Sequence, residues 1–387
     1  RLRNLISTSP DGLSRRKIES RGQKVVHSVY SPSASCMYIR MPFLRVSLRA
    51  RMKQLTHISK EVNGTTNLDK EVLLAWVLQK NKEWVLTHPD YKLSNFEYRA
   101  FNKAIERRKK HEPIAYITGT KEFYGQPFFV TKATLIPRPE TEELVDEAIT
   151  HIVETTPRGV SERRGRATSL QVIDIGTGSG NIILSVAMNI PPHSPLTLRG
   201  EVAASPPLCI RGGGGSLLPT YTAVDISKKA LKIAKKNHKK LCPQIPITFI
   251  KSDLLKNIPS KTWDQEHILI LANLPYLPQS DSKTIAKDIT KFEPATALYS
   301  GEEGLDHLTE LIQQIKNLSS RHSELHAKNL DQNRDPSPSV QDDEKKRTVT
   351  LIAEIDPRQS AILKKQFPLA KIKKDLSKKD RIFTLSF

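Results

Sequence analysis

Cysteine is scarce. Cys36, Cys209 and Cys242 are the only three in 387 residues, and none sits in a C-x-x-C pair or beside a histidine pattern. That excludes a zinc site and a disulfide framework and suits a reducing compartment. Long apolar runs are also missing. None approaches the roughly 20 residues of a membrane span, so a soluble protein with no membrane partner is expected. Acidic residues are nearly absent from the first fifty-odd positions, where arginine and serine are frequent and the chain does not begin with methionine. Such a stretch forms no packed core, and residues 1–60 are expected to be a disordered basic segment. It reads either as an organellar transit peptide or as sequence upstream of a start at Met52. A cytoplasmic protein is expected, with a mitochondrial one as the alternative. No internal repeat is present.

The chain has a mass of 43.6 kDa and a net charge of +20, from 61 Lys and Arg against 41 Asp and Glu. This length supports a real core and two domains. The charge fits an acidic or nucleic-acid-bearing partner, but part of the excess lies in the first fifty-odd residues, so direct nucleic-acid binding is not expected. From Thr66 to about His111 the pattern is helical, with Leu73, Leu74, Val77 and Leu78 on one face. Ser94 and Glu97 form a capping-box signature, and Arg107 to Lys110 crowd the end of the helix they open, which reads as a solvated face. Residues 61–118 are therefore expected to be a small helical domain, and 119–139 a hairpin linker. Ile136-Pro-Arg-Pro-Glu-Thr-Glu142 then leads into an amphipathic helix, with acids suited to its first turn. A larger domain follows over 140–387.

That domain opens on Leu170-Gln-Val-Ile-Asp-Ile-Gly-Thr-Gly-Ser-Gly180, an apolar strand running into a glycine turn. The closely spaced G-x-G-x-G suits S-adenosylmethionine better than the G-x-G-x-x-G of dinucleotides. Residues 174 to 180 (Asp174, Gly176, Thr177, Gly178, Ser179 and Gly180) are thus cofactor candidates. Residues 191–219 carry several prolines and an Arg-Gly-Gly-Gly-Gly run, and read as a flexible surface insertion. Beyond them a strand ends at Asp225. With the insertion set aside, Asp174 and Asp225 are roughly 20 residues apart, the spacing from glycine turn to ribose acid in such folds. The third strand, from Ile247, ends in Asp253-Leu254, placing an acceptor for the adenine amino group.

The fourth strand is Ile268-Leu-Ile-Leu-Ala272, apolar throughout, and it stops at Asn273-Leu-Pro-Tyr276. Asn273 offers a carbonyl acceptor, Pro275 biases Leu274 toward extended backbone, and Tyr276 supplies a flat face. Two acceptors beside an aromatic wall make a pocket for a planar group bearing NH2. All these features fall at carboxyl ends of successive strands, on one rim of a parallel sheet. A polar stretch from about Ser319 to Arg347 is expected to be a long mobile loop. Further strands are expected at Val349–Ile355 and Arg381–Phe387, with a helix over Arg358–Gln366 between them.

Four segments together resemble the peptide-chain-release-factor glutamine N5-methyltransferases: Ile136 to Glu142, Asp174 to Gly180, Asn273 to Tyr276, and Phe292-Glu-Pro with Gly301 and Gly304. The resemblance covers about Thr66 to Phe387 apart from the two insertions. It implies a Rossmann-like, S-adenosylmethionine-dependent methyltransferase sheet with a small N-terminal helical substrate-recognition domain. The substrate it implies is the glutamine of the Gly-Gly-Gln tip of class I release factors. Asn273 and the backbone carbonyl of Leu274 would accept the amide hydrogens, with Pro275 and Tyr276 completing the catalytic loop, and Arg138 and Glu140 would position the substrate. No metal is required, and a monomer is expected. The chain departs from the family at Leu274, usually proline, which is expected to loosen the loop, and at Asp356, usually glycine. Two rival readings are an adenine N6-methyltransferase acting on nucleic acid, favoured by N-L-P-Y, and a methyltransferase fold kept only as a binding module on ribosomal RNA.

Overall fold

The structure, a computed structural model, describes residues 65–155, 170–190, 219–332 and 347–387. The expectations for residues 1–60 and for 191–218 lie outside them. Four helices come first: α1 (Asn67–Leu78), α2 (Lys82–Thr87), α3 (Asn95–Lys109) and α4 (Ile114–Thr118). Three of them start at a polar side chain that accepts an otherwise unpaired amide. Thr66 takes Asp69 N–H, Asn81 takes Trp84 N–H, and Ser94 forms the expected capping box with Glu97. Each such cap contributes roughly 1 kcal/mol. Leu73, Leu74, Phe101 and Ile105 close the core of this unit.

Two of the basic residues that end α3 are not a solvated face. Arg107 donates to both Glu112 oxygens, at 2.7 and 2.8 Å, and to the Tyr116 carbonyl. Arg108 donates to Asp69 at 2.9 Å and to Asp288 at 2.7 Å. These arginines bind α3 to the segment before α4, to α1 and to the helical turn that carries Asp288.

The stretch read as extended from Glu112 first forms α4 and then the hairpin of β1 (Thr120–Phe123) and β2 (Gln126–Phe129). Tyr124 and Gly125 make its two-residue turn with φ of 50° and 70°, the left-handed pair that matches strand twist. A single 3-10 turn over Pro139–Thr141 leads into α5 (Glu142–Thr155).

The chain then runs β3 (Leu170–Ile175), α6 (Asn181–Asn189), β4 (Thr220–Asp225), α7 (Lys228–Leu241), β5 (Ile247–Lys251) and β6 (His267–Ala272). It continues with α8 (Lys287–Phe292), α9 (Asp306–Gln332), β7 (Thr348–Glu354), α10 (Ser360–Gln366), β8 (Lys371–Lys374) and β9 (Asp380–Ser386). Seven strands form one sheet in the order β5-β4-β3-β6-β7-β9-β8. The first five are mutually parallel, and β9 lies antiparallel between β7 and β8. This is a doubly wound, Rossmann-like sheet whose order reverses at β3. Its central strands are buried on both faces. Ile173 and Ile175 join one core layer, Leu170 and Val172 the other, as the two-residue period requires.

Register decides what reaches the rim. Ile175 is level with Val224 and Ala272, and Ala272 is level with Ala353. One residue further along, Gly176, Asp225, Asn273 and Glu354 emerge side by side.

The structure departs from expectation at two further elements. The loop expected from Ser319 begins later, because α9 continues to Gln332, anchored at its start by Leu308, Leu311, Ile312 and Ile315 on the core; residues 333–346 lie outside the described ones. The strand β8 was not expected, since Lys371-Ile-Lys-Lys374 has almost no apolar alternation; it is an edge strand with its three lysines exposed.

Candidate active site

The glycine turn and the β4 acid form one hydrogen-bonded unit. Thr177 N–H donates to the Val224 carbonyl at 2.8 Å, and Gly178 N–H to Asp225 Oδ2 at 2.9 Å. Ser227 N–H holds the other Asp225 oxygen at 2.8 Å. Gly176 and Gly178 have φ of 72° and 55°, values that side chains resist, and they expose the backbone to the space above the sheet. Beneath the turn Asp174 is fully buried and receives the Thr177 hydroxyl at 2.6 Å. Burial pushes its carboxyl up to about 7, against the pull of that hydroxyl.

Asn237, on α7 and fully buried, ties this turn to the hairpin. Its amide donates to the Ser179 carbonyl at 2.8 Å and exchanges hydrogen bonds with the Phe129 backbone at 2.7 and 3.0 Å. Nothing in the lysine-rich α7 sequence singled it out. Gly180 serves packing: a Cβ there would lie 3.2 Å from Ala234 Cβ and 3.2 Å from Leu184 Cδ1, where α6 crosses α7.

A cleft of about 360 Å³ opens over this rim. Of the residues singled out from sequence, Gly176, Thr177, Gly178, Ser179, Asp225, Asp253, Leu254, Asn273, Leu274, Pro275 and Arg138 line it. Asp174, Gly180, Tyr276 and Glu140 do not; Glu140 is exposed outside it. Asp253 is half exposed and paired with Lys256 Nζ at 2.6 Å. Leu254 is buried with φ 48°. The guanidinium of Arg138 is held by buried Glu293, whose second oxygen accepts Ile136 N–H at 3.1 Å. The Ile136 to Glu142 and Phe292-Glu-Pro segments, distant in sequence, are thus clasped to each other.

The Asn273 amide donates to Thr141 Oγ1 at 3.0 Å and to Glu354 Oε2 at 2.8 Å. The Thr141 hydroxyl donates to the same Glu354 oxygen at 2.7 Å, and the Tyr276 hydroxyl reaches Glu354 Oε1 at 3.3 Å. Neither Asn273 Oδ1 nor the Leu274 carbonyl takes a hydrogen bond among the described residues. Burial pushes the Glu354 carboxyl up, while Thr141, the charge of Arg381 and Tyr276 pull it down. Further along the loop, Gln359 Nε2 donates to the Tyr276 carbonyl at 3.0 Å, and Gly304 leaves room for that carbonyl.

Leucine at 274 is packed into the core. Its side chain is buried, joins the core layer that contains Ile175, and lies 3.4 Å from where a Gly176 Cβ would be. Anchoring by burial stands in for a second proline ring. Glu354 was missed as a site residue, although a lone acid ending an apolar strand at the level of Asn273 was a usable signal. The substitution of glycine by Asp356 is accommodated by Arg358, which pairs with both Asp356 and Asp281 at 2.8 Å.

Residues 53–119 match the PrmC N-terminal domain, ending one position before β1. The chain is 34% identical over 262 residues to the release factor glutamine methyltransferase of Koribacter versatilis, covering 67% of this chain and 78% of that relative. The chain belongs to the release factor glutamine methyltransferase family. The Bacillus cereus release factor glutamine methyltransferase is 30% identical over 256 residues, with 66% of this chain and 77% of that protein covered. A bifunctional methyltransferase of Rickettsia bellii is 31% identical over 252 residues; this chain spans only 40% of its length. The chain is therefore a methyltransferase, and its glycine turn, Asp225, Asp253 and residues 273–275 share one cleft.

Proposed function

We propose that this methyltransferase uses S-adenosylmethionine to methylate the side-chain amide nitrogen of the glutamine in the Gly-Gly-Gln motif of a class I release factor. The observation that carries this reading is the pair of oxygens without a partner among the described residues, Asn273 Oδ1 and the Leu274 carbonyl, in a cleft shared with the glycine turn and Asp225.

The residues fit the cofactor. Asp225 is an acceptor already held by two backbone amides, with lone pairs left for two ribose hydroxyls. The glycine turn admits close backbone approach, and Asp253 offers an acceptor at the cleft wall for an exocyclic amine. When bound, S-adenosylmethionine supplies a sulfonium-activated methyl group.

The chain's own task is to make a poor nucleophile attack. An amide nitrogen is weakly nucleophilic because its lone pair is delocalised into the carbonyl. Acceptors on both N–H bonds favour the form with more electron density on nitrogen, and they fix its direction. Alignment of this kind can lower a barrier by as much as about 7–11 kcal/mol. After transfer the nitrogen releases one proton toward solvent. Arg138, fixed by Glu293, borders the same cleft and positions the substrate backbone. The small helical domain, docked through Arg108 and Asp288, recognises the body of the release factor.

The test is methyl transfer from labelled S-adenosylmethionine to a class I release factor, to its variant with the Gly-Gly-Gln glutamine replaced by alanine, and to ribosomal RNA. Label confined to the unaltered factor is expected. Label on RNA alone would move the enzyme to the adenine-methylating class.

A further inference from the structure

A primary carboxamide has two nearly isosteric flip states, and only one suits catalysis at Asn273: oxygen toward the cleft, nitrogen away. Asn273 itself cannot choose. In water the two states are equivalent, and a freely rotating amide would present an N–H donor to the substrate for much of the time.

We infer that Glu354 is the positioning residue that makes this choice, holding the Asn273 amide nitrogen so that Oδ1 faces the substrate, and steadying Tyr276 with its other oxygen. This deepens the reading above and rests on it. The geometry is specific. Glu354 Oε2 lies 2.8 Å from Asn273 Nδ2 and accepts the Thr141 hydroxyl at 2.7 Å. Thr141 has therefore committed its proton, and its oxygen can only accept from Asn273, at 3.0 Å. Both neighbours of the amide nitrogen are acceptors. The opposite flip would set the Asn273 oxygen against a carboxylate oxygen, and the Thr141 hydroxyl could donate to it only by giving up its bond to Glu354. Glu354 is 4% exposed, so water screens that repulsion little. Tyr276 completes the arrangement, its hydroxyl 3.3 Å from Oε1, so a single carboxylate grips the loop at both ends.

Stability alone does not account for an acid here. Among the described residues Glu354 forms no ion pair within 4 Å, and a buried carboxylate without one is costly compared with an apolar side chain. The placement follows from register: Ala272 and Ala353 are partners, so Asn273 and Glu354 leave adjacent strands at one level.

The test uses the full-length protein with a release factor as substrate. Glu354→Gln keeps a carbonyl oxygen for both donors and is expected to retain kcat within about fivefold. Glu354→Met removes every acceptor and is expected to lower kcat at least about thirtyfold, with KM for the factor and Kd for S-adenosylmethionine each within about threefold, because the interaction is made mainly in the transition state. Should Glu354→Met not fold, a second pair decides. Asn273→Asp sets two carboxylates together and should be nearly inactive. Adding Glu354→Gln to it supplies an N–H donor to the new carboxylate and should raise activity at least about tenfold, a sign reversal expected only for groups in direct contact. Equal activity of the Gln and Met variants, or no gain in the double variant, overturns the assignment. A wild-type protein that leaves the release factor unlabelled overturns the function itself, whatever these variants do.

Discussion

On the proposed reading Asn273 and Asp225 do separable work although they stand at one level of one rim. Asn273→Ala deletes the side-chain acceptor and leaves the glycine turn intact. A loss of about 10²–10³ in kcat is expected, the range seen when one preorganised polar contact to a transition state is removed. Calorimetry should find S-adenosylmethionine affinity within about threefold of wild type; near-normal methyl transfer by this variant would sink the site assignment. Asp225→Ala should do the reverse to binding. Hydrogen bonds to a charged group contribute about 1.5–3 kcal/mol, or roughly 10- to 100-fold in Kd for the cofactor. An unchanged Kd would move the ribose elsewhere. Asp174 is a different case, buried beneath the turn and out of the cleft. Its carboxyl is pushed from 3.8 up to about 7, so the folded chain holds this proton more tightly than the unfolded chain does. The resulting stability is complete below about pH 4 and is lost as pH rises through about 7. Asp174→Asn cannot ionise, so its melting temperature relative to wild type should rise between about pH 5 and about pH 8.5; a pH-independent difference would rule this out.

Elements were legible in proportion to how apolar they are. The strands β3 and β6 could be read directly because burial on both faces favours mostly apolar residues, and the capping box gave the start of α3 to the residue. The first half of the Asn273 loop was legible too, since proline and a polar side chain end an apolar strand abruptly. What could not be read were contacts between segments far apart in the chain. The partnership of Glu354 with Thr141 spans 213 positions and that of Arg138 with Glu293 spans 155. No local pattern carries such information; register and packing do. Gly304 illustrates the same point. A Cβ there would collide with the Tyr276 carbonyl and come within 2.7 Å of Gln359 Nε2, at a φ of 75°. Gly304→Ala must displace backbone, and it is expected to cost about 1–3 kcal/mol of stability and to lower kcat by disturbing Tyr276. Thermal denaturation and turnover measured together would check it, and a variant as stable and active as wild type would refute the close approach.

At the scale of the molecule, a mostly parallel sheet flanked by helices leaves two outer strands, β5 and β8. A bare outer strand offers unpaired amides and carbonyls to any similar strand it meets. On β8 the three lysines at 371, 373 and 374 stand exposed, with Lys373 reaching Glu147 at 2.7 Å. Two copies meeting there would bring like charges into register at strand-pairing distance. The same lysines that hide this strand from a hydropathy reading thus set a repulsive charge along the edge, which makes strand-to-strand adhesion between two copies there unfavourable.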